Sequence, residues 1–379
     1  MNVNIFHPNL NRGGGADLVA ANIIQASLLK FDVTLFTLKR PDINQVNKDA
    51  NTNIDINDIE IRIIRVPSLV PKPLHHPLFA RLARWYCDKR EVNISTSGRA
   101  DLCCNKSIQY IHSLKYIEEE SIKEYYPDKY RRYNISGIHK VLYYIKKMVS
   151  PNKPRTACNT TLANSKWTKR VYEKVCGSTA RVLYPPALVN EGFSVEWSER
   201  NDNILCVGSI CPPKRQLSAI GIFKKTKDKC GYPNKMKIIG KKKESEYSKK
   251  VMQEIKSRND IEYLGRVSRQ KLVYEMRKNK YGIHRKDKEH FGMSVAEMVH
   301  SGMVVFVPDQ GGQTEIVGNN SNLVFDTDAT AVEKISAIVT SQEKQLKIRK
   351  DLAERQMFNQ SRFIKEIQHT LEKAVVSGE

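Results

Sequence analysis

Short apolar runs alternate with longer stretches in which apolar positions recur every three or four residues, and this rhythm continues along most of the chain. In the first half it predicts a strand at Val3–Phe6, then a helix through Leu18, Ile23, Ile24 and Leu28. Further strands are expected at Val33–Phe36, near Ile61–Val66 and at Ser107–His112. Thr160–Ser165 reads as a short strand entering a helix over Lys166–Val175, and strand Arg181–Tyr184 runs into Pro185-Pro186. The second half is more regular. Strands at Ile204–Val207, Met236–Ile239, Ile261–Leu264 and Tyr281–His284 are followed by helices at Gln216–Lys225, Ser245–Ile255, Gln270–Lys278 and Gly292–His300. Strands at Val304–Val307 and Leu323–Phe325 follow, and a final helix over Arg362–Val376 could cross back onto the first domain. Strands alternating with helices of roughly 10–15 residues mean βαβ units around a parallel sheet.

With 379 residues and 40% apolar content, the chain is long enough for two such domains. The diproline and the polar stretch to Asn203 form the expected hinge. This places one α/β domain over residues 1–190, a second over 191–360 and the terminal helix over 361–379. No run approaches the roughly 18–20 uninterrupted apolar residues of a membrane span. The start, Met1–Pro8, reads as a first strand rather than a signal peptide, so a cytosolic chain is expected. The eight cysteines show no CxxC pair and are read as reduced thiols.

Charge changes the picture. Sixty-three basic residues against 41 acidic give a net +22, which implies a polyanionic partner: nucleic acid, an anionic membrane surface or a phosphorylated substrate. No nucleic-acid-binding motif stands behind the first of these. Two first-half segments mix aromatic and basic residues as interfacial helices do, Pro71–Tyr86 and Tyr125–Ser150. An ordinary amphipathic surface helix has the same composition.

The strongest candidate chemistry lies in Glu289-His290-Phe291-Gly292-Met293-Ser294-Val295-Ala296-Glu297. In one continuous helix, eight residues would separate the two acids by about 12 Å, too far to share a proton. With Glu289 in the strand-to-helix loop and Glu297 in the helix, they can grip separate parts of an extended polyhydroxylated ligand. Amides of Phe291, Gly292 and Met293 at the helix start suit a phosphate. On the residues alone, two surface glutamates near a helix start are the favoured reading. Gly13-Gly14-Gly15 between a strand and a helix permits close approach to a ligand, or is a flexible turn. Lys214, after Pro212-Pro213, is placed to meet an anion, and His112 ends a strand where parallel-sheet sites are built. Asp326-Thr327-Asp328 resembles a metal-binding pair, but Thr330–Glu333 after it has the form of a capping box, so a loop and helix start are expected.

Together these residues resemble glycosyltransferase family 4, the retaining transferases of GT-B fold. The resemblance rests on Glu289, Phe291, Gly292 and Glu297, then Ser301-Gly302, Gly311-Gly312 and Glu315, and it extends over most of the chain. Within that family the chain looks most like the α-1,2-mannosyltransferase group acting on dolichol-linked oligosaccharide. That similarity is carried by His7-Pro8 with Gly13-Gly14-Gly15, Tyr110-Ile111-His112, Ala163–Thr168, Tyr184-Pro185-Pro186 and Gly282-Ile283-His284 before Glu289.

The resemblance implies an α/β GT-B fold, two Rossmann-like domains with parallel sheets facing a central cleft. It implies Glu289 toward the donor sugar, Glu297 on the nucleotide ribose, and Phe291, Gly292 and Met293 near sugar and phosphates. Lys214 would neutralise the diphosphate, Gly14 or Gly15 would approach the donor, and His112 would line the reaction centre. Where relatives carry an arginine, this chain has Ser209 after Gly208, and Cys211; Arg215 could supply that charge. The expected reaction moves a hexose, mannose from GDP-mannose, onto a polyprenyl- or dolichyl-phosphate-linked glycan at the cytoplasmic membrane face. Its partners would be a nucleotide sugar as co-substrate, a lipid-linked or glycan acceptor and an anionic membrane surface, with no metal, other cofactor or nucleic acid. A UDP-sugar transferase building a surface polysaccharide is the alternative, and a basic nucleic-acid-binding protein on a transferase scaffold a second one.

Overall fold

The computed structural model describes residues 1–96, 102, 106–114, 159–189 and 194–376, with helical positions at 137, 141, 144, 145, 148 and 149. The chain divides into two compact units, Met1–Pro186 with Asn359–Glu379, and Ala187–Phe358. Most of the Tyr125–Ser150 segment lies outside the described residues.

The first unit carries β1 (Asn2–Phe6), β2 (Asp32–Thr37), β3 (Ile59–Ile63), β4 (Val92–Ser95), β5 (Ser107–Ile111), β6 (Asn159–Ala163) and β7 (Arg181–Val182). Among the described residues they form one parallel sheet in the order β3-β2-β1-β4-β5-β6-β7. Helices with both ends described are α1 (Gly15–Leu28), α2 (Ile43–Ala50), α3 (His75–Leu82) and α4 (Lys166–Cys176), together with the C-terminal helix. Successive strand residues point to opposite faces. Val3, Ile5, Val33, Leu35, Val92, Ile94, Ile108 and Tyr110 are buried on one of them. On this face the C-terminal helix sets Phe363 edge-on to Tyr110, ring centroids 6.1 Å apart.

The other face carries a row of polar residues set side by side by the strand register: Glu60, Thr34, Asn4, Asn93 and Ser107. Thr34, Asn4, Asn93 and Ser107 are buried, so the row is tolerable only because its members bond one another. Thr34 Oγ1 donates to Glu60 Oε2 at 3.2 Å, and Asn4 Nδ2 donates to Asn93 Oδ1 at 3.1 Å and Glu91 Oε2 at 2.6 Å. This row is why β4 escapes a hydrophobic pattern search. The third strand lies two residues before its expected place because β2, its partner, ends at Thr37 opposite Ile63.

The second unit carries β8 (Asn201–Val207), β9 (Met236–Ile239), β10 (Ile261–Gly265), β11 (Asn279–Ile283), β12 (Val304–Pro308) and β13 (Val324–Phe325). They form a parallel sheet in the order β10-β9-β8-β11-β12-β13. Between them run α5 (Gln216–Cys230), α6 (Glu246–Lys256), α7 (Arg269–Lys278), α8 (Met293–His300) and α9 (Gln313–Ile316). After β13 come α10 (Asp328–Val339) and α11 (Gln342–Ala353), and the chain ends in α12 (Gln360–Val376) on the first unit. All six strands expected in the second half are present. The capping box is one turn earlier than expected: Thr327 is the N-cap of α10 and Thr330 its third residue. No strand or helix was expected over α11, which buries only Gln345, Ile348 and Leu352.

Gly282 in β11 shows how tightly α8 lies on this sheet: a Cβ there would stand 2.7 Å from Met298 Sδ and 3.3 Å from Val305 Cγ2. Gly282→Ala is expected to destabilise the protein by about 1–3 kcal/mol, the usual cost of overpacking. Combined with Met298→Ala, the two losses should be less than additive in chemical denaturation, because the truncation removes the clashing sulfur. A single variant as stable as the parent would show that the contact is slack.

Candidate active site

The second sheet reverses direction between β8 and β11, which are hydrogen-bonded neighbours despite lying far apart in sequence. Loops leaving the carboxyl ends of two such strands diverge and open a crevice, the usual binding place in open α/β sheets. One loop carries Lys214 and the other Glu289.

After β8 the chain makes a short 3-10 turn over Pro212–Lys214, and Arg215 takes a left-handed φ of 51° before α5 begins. The Lys214 stem folds back over Gly208, with Cδ and Cε each 3.6 Å from where a Gly208 side chain would start. This aims its ammonium at the next loop, and Lys214 Nζ donates to Glu289 Oε2 at 2.7 Å.

The β11 loop is anchored by backbone. His284 N–H donates to the Phe306 carbonyl, Lys288 N–H to Gln310 and Gly312 N–H to Glu289. Gly311 is needed here: at φ 123° an added Cβ would come within 2.6 Å of the Glu289 carbonyl oxygen. This explains the Gly-Gly after β12, which holds Glu289 in register from the neighbouring strand. Behind it, Gly292 turns at φ 108° into α8, and Phe291 is buried with its ring 5.7 Å from that of Phe358. Met293 opens the helix.

Glu289 accepts from a second lysine, Lys286 Nζ to Oε1 at 2.6 Å, and His284 Nε2 lies 3.6 Å from Oε2. Its side chain is 14% exposed, against 26% and 25% for Lys214 and Lys286. Burial pushes the Glu289 carboxyl up, but the two ammonium groups more than offset this and hold it well below the usual carboxylate range. Burial, reinforced by Lys214, pushes the His284 imidazole down to about 4. The carboxylate is therefore charged and the histidine neutral at physiological pH.

A second layer of ion pairs supports this cluster. Arg215 and Arg285 both pair with Asp287, and Arg285 Nε also donates to Asp328 Oδ1 and Ser218 Oγ, each at 2.9 Å. Asp328 thus links the β11 loop to the starts of α10 and α5, and Asp326 accepts from Thr330 Oγ1 at 2.6 Å. Among the described residues no three His, Cys, Asp or Glu side chains gather as metal ligands. Glu297, buried on α8, accepts from Arg269 Nη2 at 2.8 Å.

Gly14, Gly15 and His112 lie in the first unit. There the sheet reverses between β1 and β4, and His7 Nδ1 spans the gap to Thr96 Oγ1 at 2.8 Å. His7 Nε2 meets Asp17 Oδ1 at 2.9 Å, and the other Asp17 oxygen accepts from the Gly14 amide at 2.9 Å. Gly15 begins α1. His112 follows β5, its ring 4.9 Å from Tyr110 and its carbonyl accepting from Asn164 Nδ2. Of the expected residues, the structure joins Lys214 directly to Glu289 and sets Arg215 on the adjacent Asp287. Sequence reasoning passed over Lys286, Arg285, Arg269 and the contact of His284 with Glu289. For Lys286 a signal existed, a lysine three residues before the acid in the same loop.

Residues 190–355 match the family model described as Glycosyl transferases group 1. The chain is 23% identical to the GDP-Man:Man(3)GlcNAc(2)-PP-Dol alpha-1,2-mannosyltransferase of Caenorhabditis elegans, over 92% of this chain and 85% of that protein. It is 22% identical to the Homo sapiens protein of the same name, over 92% and 82% respectively. Among solved structures it resembles sucrose-phosphate synthase from Thermosynechococcus elongatus, with a TM-score of 0.72 at 12% identity and full coverage of both chains. The fold is the expected α/β GT-B class, with a parallel sheet in each unit.

The buried histidine makes a pH prediction. His284 stays neutral in the folded protein to about pH 4, whereas its ordinary value is 6.5, so between these pH values the unfolded chain binds more protons. The contribution is complete above about pH 6.5 and is lost as pH falls toward 4. Denaturation midpoints measured across this range should fall less steeply for His284→Asn than for the parent protein. Parallel curves would remove His284 from this linkage.

Proposed function

We propose that this glycosyltransferase, whose residues 190–355 belong to the Glycosyl transferases group 1 family, moves mannose from GDP-mannose onto a lipid-linked glycan. The observation that carries a sugar-nucleotide reaction is the Glu289 carboxylate, clamped by lysines at the switch-point crevice where α8 begins. Mannose, and a dolichyl-diphosphate glycan as acceptor, follow from the names of the relatives that span 92% of this chain.

In this reading Glu289 accepts a hydroxyl of the donor sugar and Glu297 those of the ribose, drawing on the carboxylate that Arg269 now orients. Lys214 takes the diphosphate charge. Gly14 or Gly15 approaches the donor, and His112 lines the reaction centre. The sugar C1–oxygen bond breaks with its electron pair on the diphosphate. An acceptor hydroxyl oxygen bonds C1 from the same face, and its proton passes to the departing oxygen. The anomeric configuration is retained, and catalysis is positioning plus charge stabilisation.

A lipid-linked acceptor calls for attachment at a membrane surface. No described helix is long and apolar enough to cross a membrane. Instead, Val141, Tyr144, Ile145 and Met148 follow i, i+3, i+4, i+7 spacing and are exposed. Arg81 of α3 donates to the Met148 carbonyl at 3.0 Å, which ties these positions to α3, after which Trp85 is 80% exposed. This aromatic and basic face, on a chain of charge +22, suits the anionic cytoplasmic leaflet.

Mass spectrometry of products from a panel of sugar nucleotides and a dolichyl-diphosphate glycan tests the reaction. Turnover of GDP-mannose is expected, and turnover of UDP-sugars alone would sink the donor assignment. Lys214→Ala should lower kcat by roughly 100-fold or more, as loss of a leaving-group charge does; full activity would remove it from that role. For the surface, Trp85→Ala combined with Met148→Glu should weaken flotation with phosphatidylserine vesicles, and unchanged flotation would refute this docking face.

A further inference from the structure

Glu289 presents a chemical conflict. Both of its oxygens are occupied by ammonium groups, Oε2 by Lys214 and Oε1 by Lys286. Each contact takes one of the two lone pairs on its oxygen, so a sugar hydroxyl meets a competing ammonium at either oxygen. Two lysines on one carboxylate also leave a full positive charge unmatched. The neighbouring arginines differ: Arg215 and Arg285 are answered by Asp287 and Asp328, and Arg269 by Glu297.

We propose that Lys286 is a second diphosphate-binding residue, which exchanges Glu289 for the leaving group when a donor enters. The inference rests on the nucleotide-sugar reading above and names the group that completes its phosphate end. Of the two lysines, Lys214 is the one whose stem packs over Gly208. Lys286 stands on the loop between β11 and α8, three residues before Glu289, with a quarter of its side chain open to solvent. A diphosphate at the crevice offers it several anionic oxygens in place of one. Its departure frees Oε1 of Glu289 to accept from the sugar, while Lys214, on Oε2, bridges from the carboxylate to the phosphates. One movement therefore neutralises the leaving group and uncovers the sugar-binding carboxylate. It also supplies a cation at the phosphate end, where Ser209 and Cys211 carry none.

The same geometry allows a purely structural role, in which Lys286 only holds Glu289 in place, and binding measurements separate the two. Isothermal titration of the full chain with GDP, UDP and guanosine would compare the parent with Lys286→Met, Lys286→Arg, Glu289→Gln and the Glu289→Gln/Lys286→Met double variant. Loss of a charge-assisted contact should weaken diphosphate binding on the order of tenfold in Lys286→Met, with guanosine affinity unchanged. Lys286→Arg should retain most of the affinity. The weakening should persist in the Glu289→Gln background, where there is no charged carboxylate to hold. Equal affinity in Lys286→Met, or a weakening that vanishes in that background, overturns the inference alone. A parent protein that binds neither GDP nor UDP overturns the nucleotide-sugar reading and the inference with it.

Discussion

The parallel pairing of β8 with β11 is the constraint on which the candidate site depends. These two strands adjoin because the sheet grows one way through β9 and β10 and the other way through β12 and β13. Their loops must therefore part, and the space between them receives a lysine from one side and a glutamate from the other. The 2.7 Å contact between Lys214 and Glu289 crosses that space. Everything near it acts to hold the two loops still: the bonds from Gly312 and Lys288, the small Gly311, and the Arg285 link to Asp328 and Ser218. In the outer layer each arginine finds a carboxylate, while the two lysines on Glu289 carry one positive charge more than the carboxylate answers.

The first unit solves the same topological problem with different chemistry. Its reversal between β1 and β4 is stitched by His7, which reaches Thr96 on one side and Asp17 on the other. Asp17 in turn takes the Gly14 amide and so sets the turn into α1. A glycine-rich loop that looks slack as a string of residues is thus held at both ends. The polar row across five strands of this sheet shows the same economy, since Thr34, Asn4 and Asn93 find partners in adjoining strands.

Much of the fold was legible because strands buried on both faces and amphipathic helices leave strong patterns. All six second-unit strands were legible for that reason. β4 was not, since Asn93 lies in the polar row and Ser95, on the same face beside Phe6, adds no apolar position; α11 was not, since only three of its residues are buried. The Thr327 cap was placed one turn late because two overlapping Thr-x-x patterns compete and only backbone geometry chooses between them. In the candidate site, the acids and Lys214 were visible as motif positions. Lys286 was passed over because a lysine in a basic chain carries no mark of its own, and Arg269 because its partner Glu297 lies on a different helix.

By itself the sequence determined the class of fold, the order of its elements and the presence of two acids and a lysine at strand-to-helix transitions. These are local properties, written in hydrophobic period, glycine placement and motif spacing. Only the tertiary structure decided that the β8 and β11 loops are neighbours, that Glu289 is clamped from both sides, and that His284 is buried and neutral beside it. Strand order and burial arise from contacts between segments some 75 residues apart in the chain, as Lys214 and Glu289 are, and no local pattern encodes which segments will meet.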